Sequence, residues 1–283
     1  MTSRAWVNGR LVDADQPVLM TNDHGLTVGD GIFETAKIVR GQAFALTRHL
    51  NRLAVSAAGL GLPEPDLEQI RSGVRQLLAA DAPMAFGRLR ITVTGGSGPL
   101  GSERLAGAGT VVLQAAGQDP PPPTGAAVLA PWTRNERGAV TGIKTTSYAE
   151  NVVALAYAKA QGAAEALLAN SVGNLCEGTG SNVLVSVDGE LVTPPLSAGP
   201  LAGISRGLLL EWAEGTDLRI READLPASVL NEATEVLLTS SIRDVQPQHA
   251  VDRRRLREPG QLGDLGGRAV ALFRERAAQD IDP

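Results

Sequence analysis

The spacing of apolar and polar positions changes period several times along the chain, and each change predicts an element. Trp6-Val7-Asn8-Gly9-Arg10-Leu11-Val12 reads as a hairpin with Asn-Gly at its turn. Residues 35–39 and 42–46 flank Arg40-Gly41 as a second hairpin. Helical spacing covers residues 49–58, stopped by Gly59, and again residues 67–79. Residues 89–94 and 110–115 read as strands. Further on, 126–130 reads as a strand, and 148–161 as an Ala-rich helix ended by Gly162. Strands at 166–169, 182–187 and 190–193 follow, the last two joined by Asp188-Gly189, a strong turn signal. A helix over 204–213 opens just after Gly203. A short strand over 235–238 leads into Thr239-Ser240-Ser241, and a last helix covers 267–277. The pattern predicts an α+β (mixed α/β) chain with much antiparallel pairing, and it lacks the regular strand–helix alternation of a Rossmann domain. Pro120-Pro121-Pro122-Pro123 has no ladder donors and favours a stiff extended link. It divides the chain into a smaller domain over 1–118, a linker over 119–124 and a larger domain over 125–283.

Composition narrows what such a chain does. With 283 residues, 43% of them hydrophobic and 20% charged, it has the material for a large core and more than one domain. A formal net charge of −5 without a basic block argues against nucleic acid as a partner and for a small-molecule substrate. One cysteine, Cys176, rules out an internal disulfide framework; it reads as a buried small residue. The first ten residues carry no apolar signal core, and no apolar run approaches membrane-spanning length, so the expected setting is cytoplasmic. His24, His49 and His249 are scattered, so no metal site is expected.

The basic residues change the picture more. Of 26, only Lys37, Lys144 and Lys159 are lysines. Arginine cannot form a Schiff base, so any amine chemistry has three candidates, although codon bias accounts for the same scarcity. Lys144 lies in the hydroxyl-rich run Lys144-Thr145-Thr146-Ser147-Tyr148, just ahead of a helix start. By itself that run reads first as a helix terminus capped by Ser147, with Lys144 exposed. Glu177 enters the small-residue turn of Gly178-Thr179-Gly180-Ser181 before an apolar strand. A carboxylate there suits a protonated pyridine nitrogen, and an ordinary solvated turn fits as well. Ile204 and Ser205 open a helix whose free N–H groups suit a phosphate. Ser240 and Ser241 offer further donors, and Arg52, set among leucines in His49-Leu50-Asn51-Arg52-Leu53, could reach an anion from a packed helix. Each of these has a structural alternative as a cap, a turn or a solvated helix residue.

Order and spacing together are more specific than any one motif. Gly29-Asp30-Gly31-Ile32-Phe33-Glu34-Thr35, the His49–Leu53 run, Lys144 with Tyr148, Glu177-Gly178 through Ser181-Asn182-Val183, Gly203-Ile204-Ser205-Arg206 and Thr239-Ser240-Ser241 resemble the class IV aminotransferases. These are the fold-type IV enzymes of pyridoxal 5′-phosphate (PLP), among them branched-chain and D-amino acid aminotransferases and aminodeoxychorismate lyase. The resemblance implies a two-domain fold with the cofactor between the domains, the larger domain binding it, and a homodimer. It implies Lys144 as Schiff-base lysine and proton shuttle, Glu177 at the pyridine nitrogen and Tyr148 at the ring oxygen. Arg52, Ile204, Ser205, Ser240 and Ser241 are implied as the phosphate cup. Strand alternation puts Phe33, Thr35 and Lys37 on one face, which in the family lines the substrate pocket. Leu100 and Ser102 stand where bacterial D-amino acid aminotransferases carry an Arg and a His, and Phe33 where they carry a Tyr. A carboxylate substrate then needs another cation. Lys37 is the expected one, with a solvated strand-end lysine as the alternative. The implied reaction is transamination from a D-amino acid or (R)-amine to a keto acid. Aminodeoxychorismate lyase, releasing pyruvate and 4-aminobenzoate, is the alternative, and a non-catalytic PLP-binding protein a remote one.

Overall fold

The computed structural model describes residues 4–80, 82–105, 107 and 109–283. Contacts divide the chain into two compact units. The first takes the chain through Pro120, with Ile143–Ser147 and Ile281–Pro283; the second takes Pro121–Gly142 and Tyr148–Asp280. Sequence pattern leaves residues 143–147 in the second half of the chain, but that stretch packs with the first unit and takes Lys144 there.

The first unit is a six-stranded sheet with two helices on one face. Its strands are β1 (Arg4–Val7), β2 (Arg10–Asp13), β3 (Gly31–Val39), β4 (Gln42–Ala43), β5 (Phe86–Thr94) and β6 (Val111–Gly117), in the order β2-β1-β6-β5-β3-β4. Every pairing is antiparallel. Both expected hairpins form. Asn8 and Gly9 have φ of 45° and 95°, Arg40 and Gly41 have 52° and 77°, and successive positive φ values match a turn to strand twist. Between β2 and β3 lies a short α1 (His24–Thr27), which sequence periodicity missed because four residues carry no period. Helices α2 (Leu46–Leu60) and α3 (Leu67–Ala79) bury Leu50, Leu53, Ile70, Val74 and Leu77 against Ile32, Ala36, Ile38, Leu89, Ile91 and Leu113. Gly59 does not stop α2. The helix runs through it and ends at Gly61, whose φ of 69° is left-handed. A Cβ on Gly59 would lie 2.9 Å from Ile143 Cδ1, so the small residue is there for packing. The open N-terminus of α2 is capped from far along the chain: Thr47 N–H donates to Asp282 Oδ1 at 2.7 Å and Thr47 Oγ1 to Asp282 Oδ2 at 2.6 Å.

The second unit is a nine-stranded mixed sheet with three helices. Its strands are β7 (Gly125–Arg134), β8 (Glu165–Asn170), β9 (Leu175–Gly178), β10 (Asn182–Val187), β11 (Glu190–Thr193), β12 (Ile220–Glu222), β13 (Val236–Ser240), β14 (Asp244–Val251) and β15 (Arg254–Arg255). The order is β12-β11-β10-β13-β14-β7-β8-β9, with β15 beside β14. The parallel contacts are β7 with β8 and β14, and β11 with β12. Helix α4 (Ala149–Ala160) lays Ala154 and Ala158 on Val128, Ala166 and Leu168. Helices α5 (Ile204–Ala213) and α6 (Asp264–Gln279) meet at Trp212 and Phe273, with ring centroids 5.0 Å apart. The expected mixed α/β class is what forms. Strands β10 and β11 and helices α3 and α5 have the expected bounds; β9, β12, β14 and β15 were not expected. The 126–130 strand runs on to Arg134, and that extension matters below.

Candidate active site

In the first unit the site begins with the loop that carries Lys144. Phe33 N–H donates to Lys144 C=O at 2.9 Å and Thr146 N–H to Gly31 C=O at 2.7 Å, which stitches the loop beside the start of β3. Thr146 Oγ1 and Ser147 Oγ both donate to Gly29 C=O at 2.9 Å. Ser147 is therefore occupied away from α4, whose N-cap is Tyr148 without a side-chain cap bond. A Cβ on Gly31 would stand 2.9 Å from Val93 O and 3.0 Å from Thr146 Oγ1. The glycine thus lets the lysine loop lie flat on the strand. Lys144 is half-buried, its Nζ 4.3 Å from the Phe33 ring centroid.

Alternation along β3 sorts its side chains. Ile32, Glu34, Ala36 and Ile38 share the helix-facing side; Phe33, Thr35 and Lys37 share the other. Glu34 is completely buried, and α2 answers it with residues three apart on one helical face. Arg52 Nε and Nη2 donate to Glu34 Oε1 and Oε2, each at 2.7 Å, and His49 Nδ1 lies 2.7 Å from Oε2. Burial pushes the Glu34 pKa up, but the charge and hydrogen bonds of Arg52 and the bond from His49 outweigh it and bring it down to about 2. For His49, burial dominates and lowers the pKa, helped by the charges of Arg52 and Lys144 against the pull of Glu34. Glu34 and His49 lay within quoted motifs, yet their role was not read from them. The legible signal was a charged residue at a core-facing position of a strand.

On the other face, Lys37 is buried, its Nζ 4.7 Å from the Phe44 ring centroid. The solvated alternative for this lysine is thus set aside. Arg90, which sequence reasoning did not single out, pairs across the strands with Thr35 and lays its guanidinium 3.4 Å from the Phe33 ring centroid. Leu100 is 82% exposed and presents an apolar side chain to solvent.

The second unit holds the rest of the expected residues. Glu177 lies on β9, with Oε2 accepting Leu201 N–H at 3.0 Å and Oε1 3.2 Å from Arg134 Nε. Arg134 is at the unforeseen end of β7. The Thr179–Ser181 turn after Glu177 is held by buried Glu165, which accepts from Thr179 N–H and Ser181 Oγ at 3.1 Å and pairs with Arg243. Asn182 then reaches Gly203 at the start of α5. A Cβ there would fall 1.8 Å from Asn182 Oδ1, so only glycine fits. Helix α5 has no side-chain cap, and Ser205 in its first turn is buried. Thr239 is Asn182's cross-strand partner and so shares its side of the sheet. Its Oγ1 is buried without a hydrogen-bond partner. Ser240 Oγ accepts from Arg243 N–H at 3.2 Å, and Ser241 follows it half-buried. An uncapped helix start, glycine-bared backbone and an orphaned hydroxyl form a donor set that fits a phosphate. Cys176 is buried, and burial together with the charge of Glu177 pushes its thiol pKa up, so it is no nucleophile.

The sequence signature of amino-transferase class IV matches residues 31–251, most of the chain. The chain belongs to the class IV aminotransferases. Enzymes of this family depend on PLP. Among the relatives of this class IV aminotransferase, the D-alanine aminotransferase of Bacillus licheniformis is 30% identical over 248 residues, 87% of each chain. The bifunctional aminodeoxychorismate lyase / D-amino acid transaminase of Mycobacterium tuberculosis is 29% identical over 272 residues, 88% of this chain and 91% of that one. A hypothetical aminotransferase from Mycobacterium tuberculosis, solved in its PLP-bound form, superposes with a TM-score of 0.83 at 26% identity, covering 97% of this chain and 98% of that one. The branched-chain amino acid aminotransferase of Escherichia coli gives 0.89 at 22% identity over 97% and 94%, a likeness of fold. No helix among the described residues is long and apolar enough to cross a membrane.

Proposed function

We propose that this class IV aminotransferase is a transaminase that moves the amino group of a D-amino acid or (R)-amine to a keto acid, with Lys144 holding PLP as a Schiff base. The placement of Lys144 supports this reading most: its loop is hydrogen-bonded to β3, and its amine stands over Phe33. Bound PLP supplies an electrophilic carbonyl carbon for amines and a ring that takes up electron density. With PLP bound, Lys144 would take a proton from the substrate α-carbon as general base and deliver it as general acid to the cofactor's exocyclic carbon. Glu177, fixed by the Leu201 N–H, would hold the ring nitrogen protonated, and Tyr148 would donate to the ring oxygen. In the first unit Arg52, held in angle by Glu34, is proposed for the phosphate; in the second unit the N–H groups of Ile204 and Ser205 and the hydroxyls of Ser205, Ser240 and Ser241 are proposed for it. Phe33, Thr35 and Lys37 line the substrate side.

The D-alanine aminotransferase among the relatives favours a D-amino donor, and the bifunctional relative keeps the lyase in view. One assay separates the two. Keto acid formed from D-alanine, without pyruvate and 4-aminobenzoate from aminodeoxychorismate, is the expected result; the reverse pattern would make the chain a lyase. A cytoplasmic homodimer is the expected assembly, and an active monomer in sedimentation would overturn it.

A further inference from the structure

We propose that Arg90, rather than Lys37, is the residue that selects substrates carrying a carboxylate. The proposal rests on the transaminase reading and adds the group that recognises the acid. Three cations, Arg90, Lys144 and Lys37, are associated with one face of the sheet in the first unit. Two of them share a single ring: Arg90 Cζ is 3.4 Å and Lys144 Nζ 4.3 Å from the Phe33 centroid. The guanidinium and the amine can therefore be no further apart than those two distances laid end to end. A ring quadrupole attracts each cation, and an anion bound beside the ring is drawn to both charges.

The chemistry fits one class of anion. An amino or keto acid presents its carboxylate one bond from the carbon that reacts with the lysine, so its cation must lie near the lysine. Arg90 does. Lys37 is two residues further along β3 than Thr35, the cross-strand partner of Arg90, and its amine is over a different ring, that of Phe44. A guanidinium also matches a carboxylate in plane, as a fork of parallel donors, where an ammonium is a point charge. Arg90 is partly preorganised as well: its Nε donates to Thr92 Oγ1 at 3.2 Å and its Cζ rests over the Phe33 ring, so less freedom is left to lose on binding. Phe33 then has two tasks, as the surface that carries the cation and as the contact under the lysine.

The test uses PLP-loaded protein and two ligands that differ in a carboxylate and have no handedness, glycine and methylamine. Each is titrated into wild type, Arg90→Gln, Arg90→Lys and Lys37→Ala while the visible absorbance of bound PLP is followed. Propionate, which carries the acid but no amine, is titrated separately against thermal melting. In Arg90→Gln the preference for glycine over methylamine should fall at least about tenfold, and the melting shift given by propionate should shrink with it. Arg90→Lys, which keeps the charge without the fork, should fall between, and it carries the test if Arg90→Gln does not fold. An unchanged preference in both Arg90 variants, or the loss appearing in Lys37→Ala instead, overturns the proposal. Wild type that takes up no PLP would instead sink the transaminase reading, a failure distinct from these.

Discussion

The two faces of β3 handle charge in opposite ways. On the helix-facing side one carboxylate, Glu34, is fully buried and closed by a bidentate arginine and a histidine within 2.7 Å. On the other side cations rest on aromatic rings: Arg90 and Lys144 on Phe33, Lys37 on Phe44. Residues one step apart in sequence thus serve different ends. A matched cluster fixes geometry, here the angle of the Arg52 guanidinium. Among the cations on rings, Arg90 is, on the proposal above, the one that meets the substrate's carboxylate. The second unit repeats the contrast. Glu165 is closed around its turn by Thr179, Ser181 and Arg243, while Thr239 Oγ1 is buried and unsatisfied beside the start of α5.

Several substitutions would break or sharpen this contrast. The largest effect is expected from Lys144→Ala, which should lower the half-reaction with an amine by about 10²–10⁴-fold, while thermal melting moves little. Turnover at the wild-type level would remove Lys144 from the chemistry.

Glu34→Ala belongs to the closed side and should act on stability. It takes from Arg52 and His49 the carboxylate both are bound to and should cost about 3–5 kcal/mol in urea unfolding; a loss below about 1 kcal/mol would mean the cluster is no anchor. Acid adds a second reading. Because the Glu34 pKa is lower in the folded state, at about 2, than in the unfolded chain, its contribution is fully present above the unfolded value, near ~4.3. It is lost as pH falls through that window. The lowered pKa of His49 has the same sign and begins to cost stability below about pH 6.5, where the unfolded imidazole takes up a proton first. Glu34→Gln should therefore show a flatter acid limb between about pH 5 and pH 2 than wild type; superimposable limbs would place the acid sensitivity elsewhere.

Asp282→Ala should cost about 1 kcal/mol through the cap of α2, measured by the same unfolding. The smallest effect is the sharpest in sign. Thr239→Val removes an unsatisfied hydroxyl at constant shape, so the protein without PLP should be unchanged or more stable by up to about 1 kcal/mol. Its affinity for PLP should nevertheless fall roughly tenfold, the worth of one hydrogen bond to a charged group. Lower stability with unaltered PLP affinity would make Thr239 an ordinary core residue.

Much of this was legible in the sequence where periodicity and turn chemistry are local. The Asn8-Gly9, Arg40-Gly41 and Asp188-Gly189 turns fixed three hairpins, and α3 and α5 have the bounds their spacing gives. Expected site residues came from motifs whose order, not composition, is specific. Less legible were features set by pairing at a distance. Arg90 meets Phe33 because β5 pairs with β3, and Arg134 meets Glu177 because β7 runs four residues past its apolar stretch. Gly59 looked like a stop signal because sequence does not show that Ile143 needs its space. Lys37 looked solvated or site-facing with equal ease, since a strand-end position does not reveal which ring lies over it.

The most direct test of the central claim is chemical. Protein loaded with PLP is reduced with borohydride, digested and mapped by mass spectrometry, which converts any Schiff base into a stable label on the lysine that formed it. The chain has three lysines, so the result is unambiguous. Label on the peptide containing Lys144 is expected; label on Lys37 or Lys159 instead, or on none of the three, would contradict the assignment.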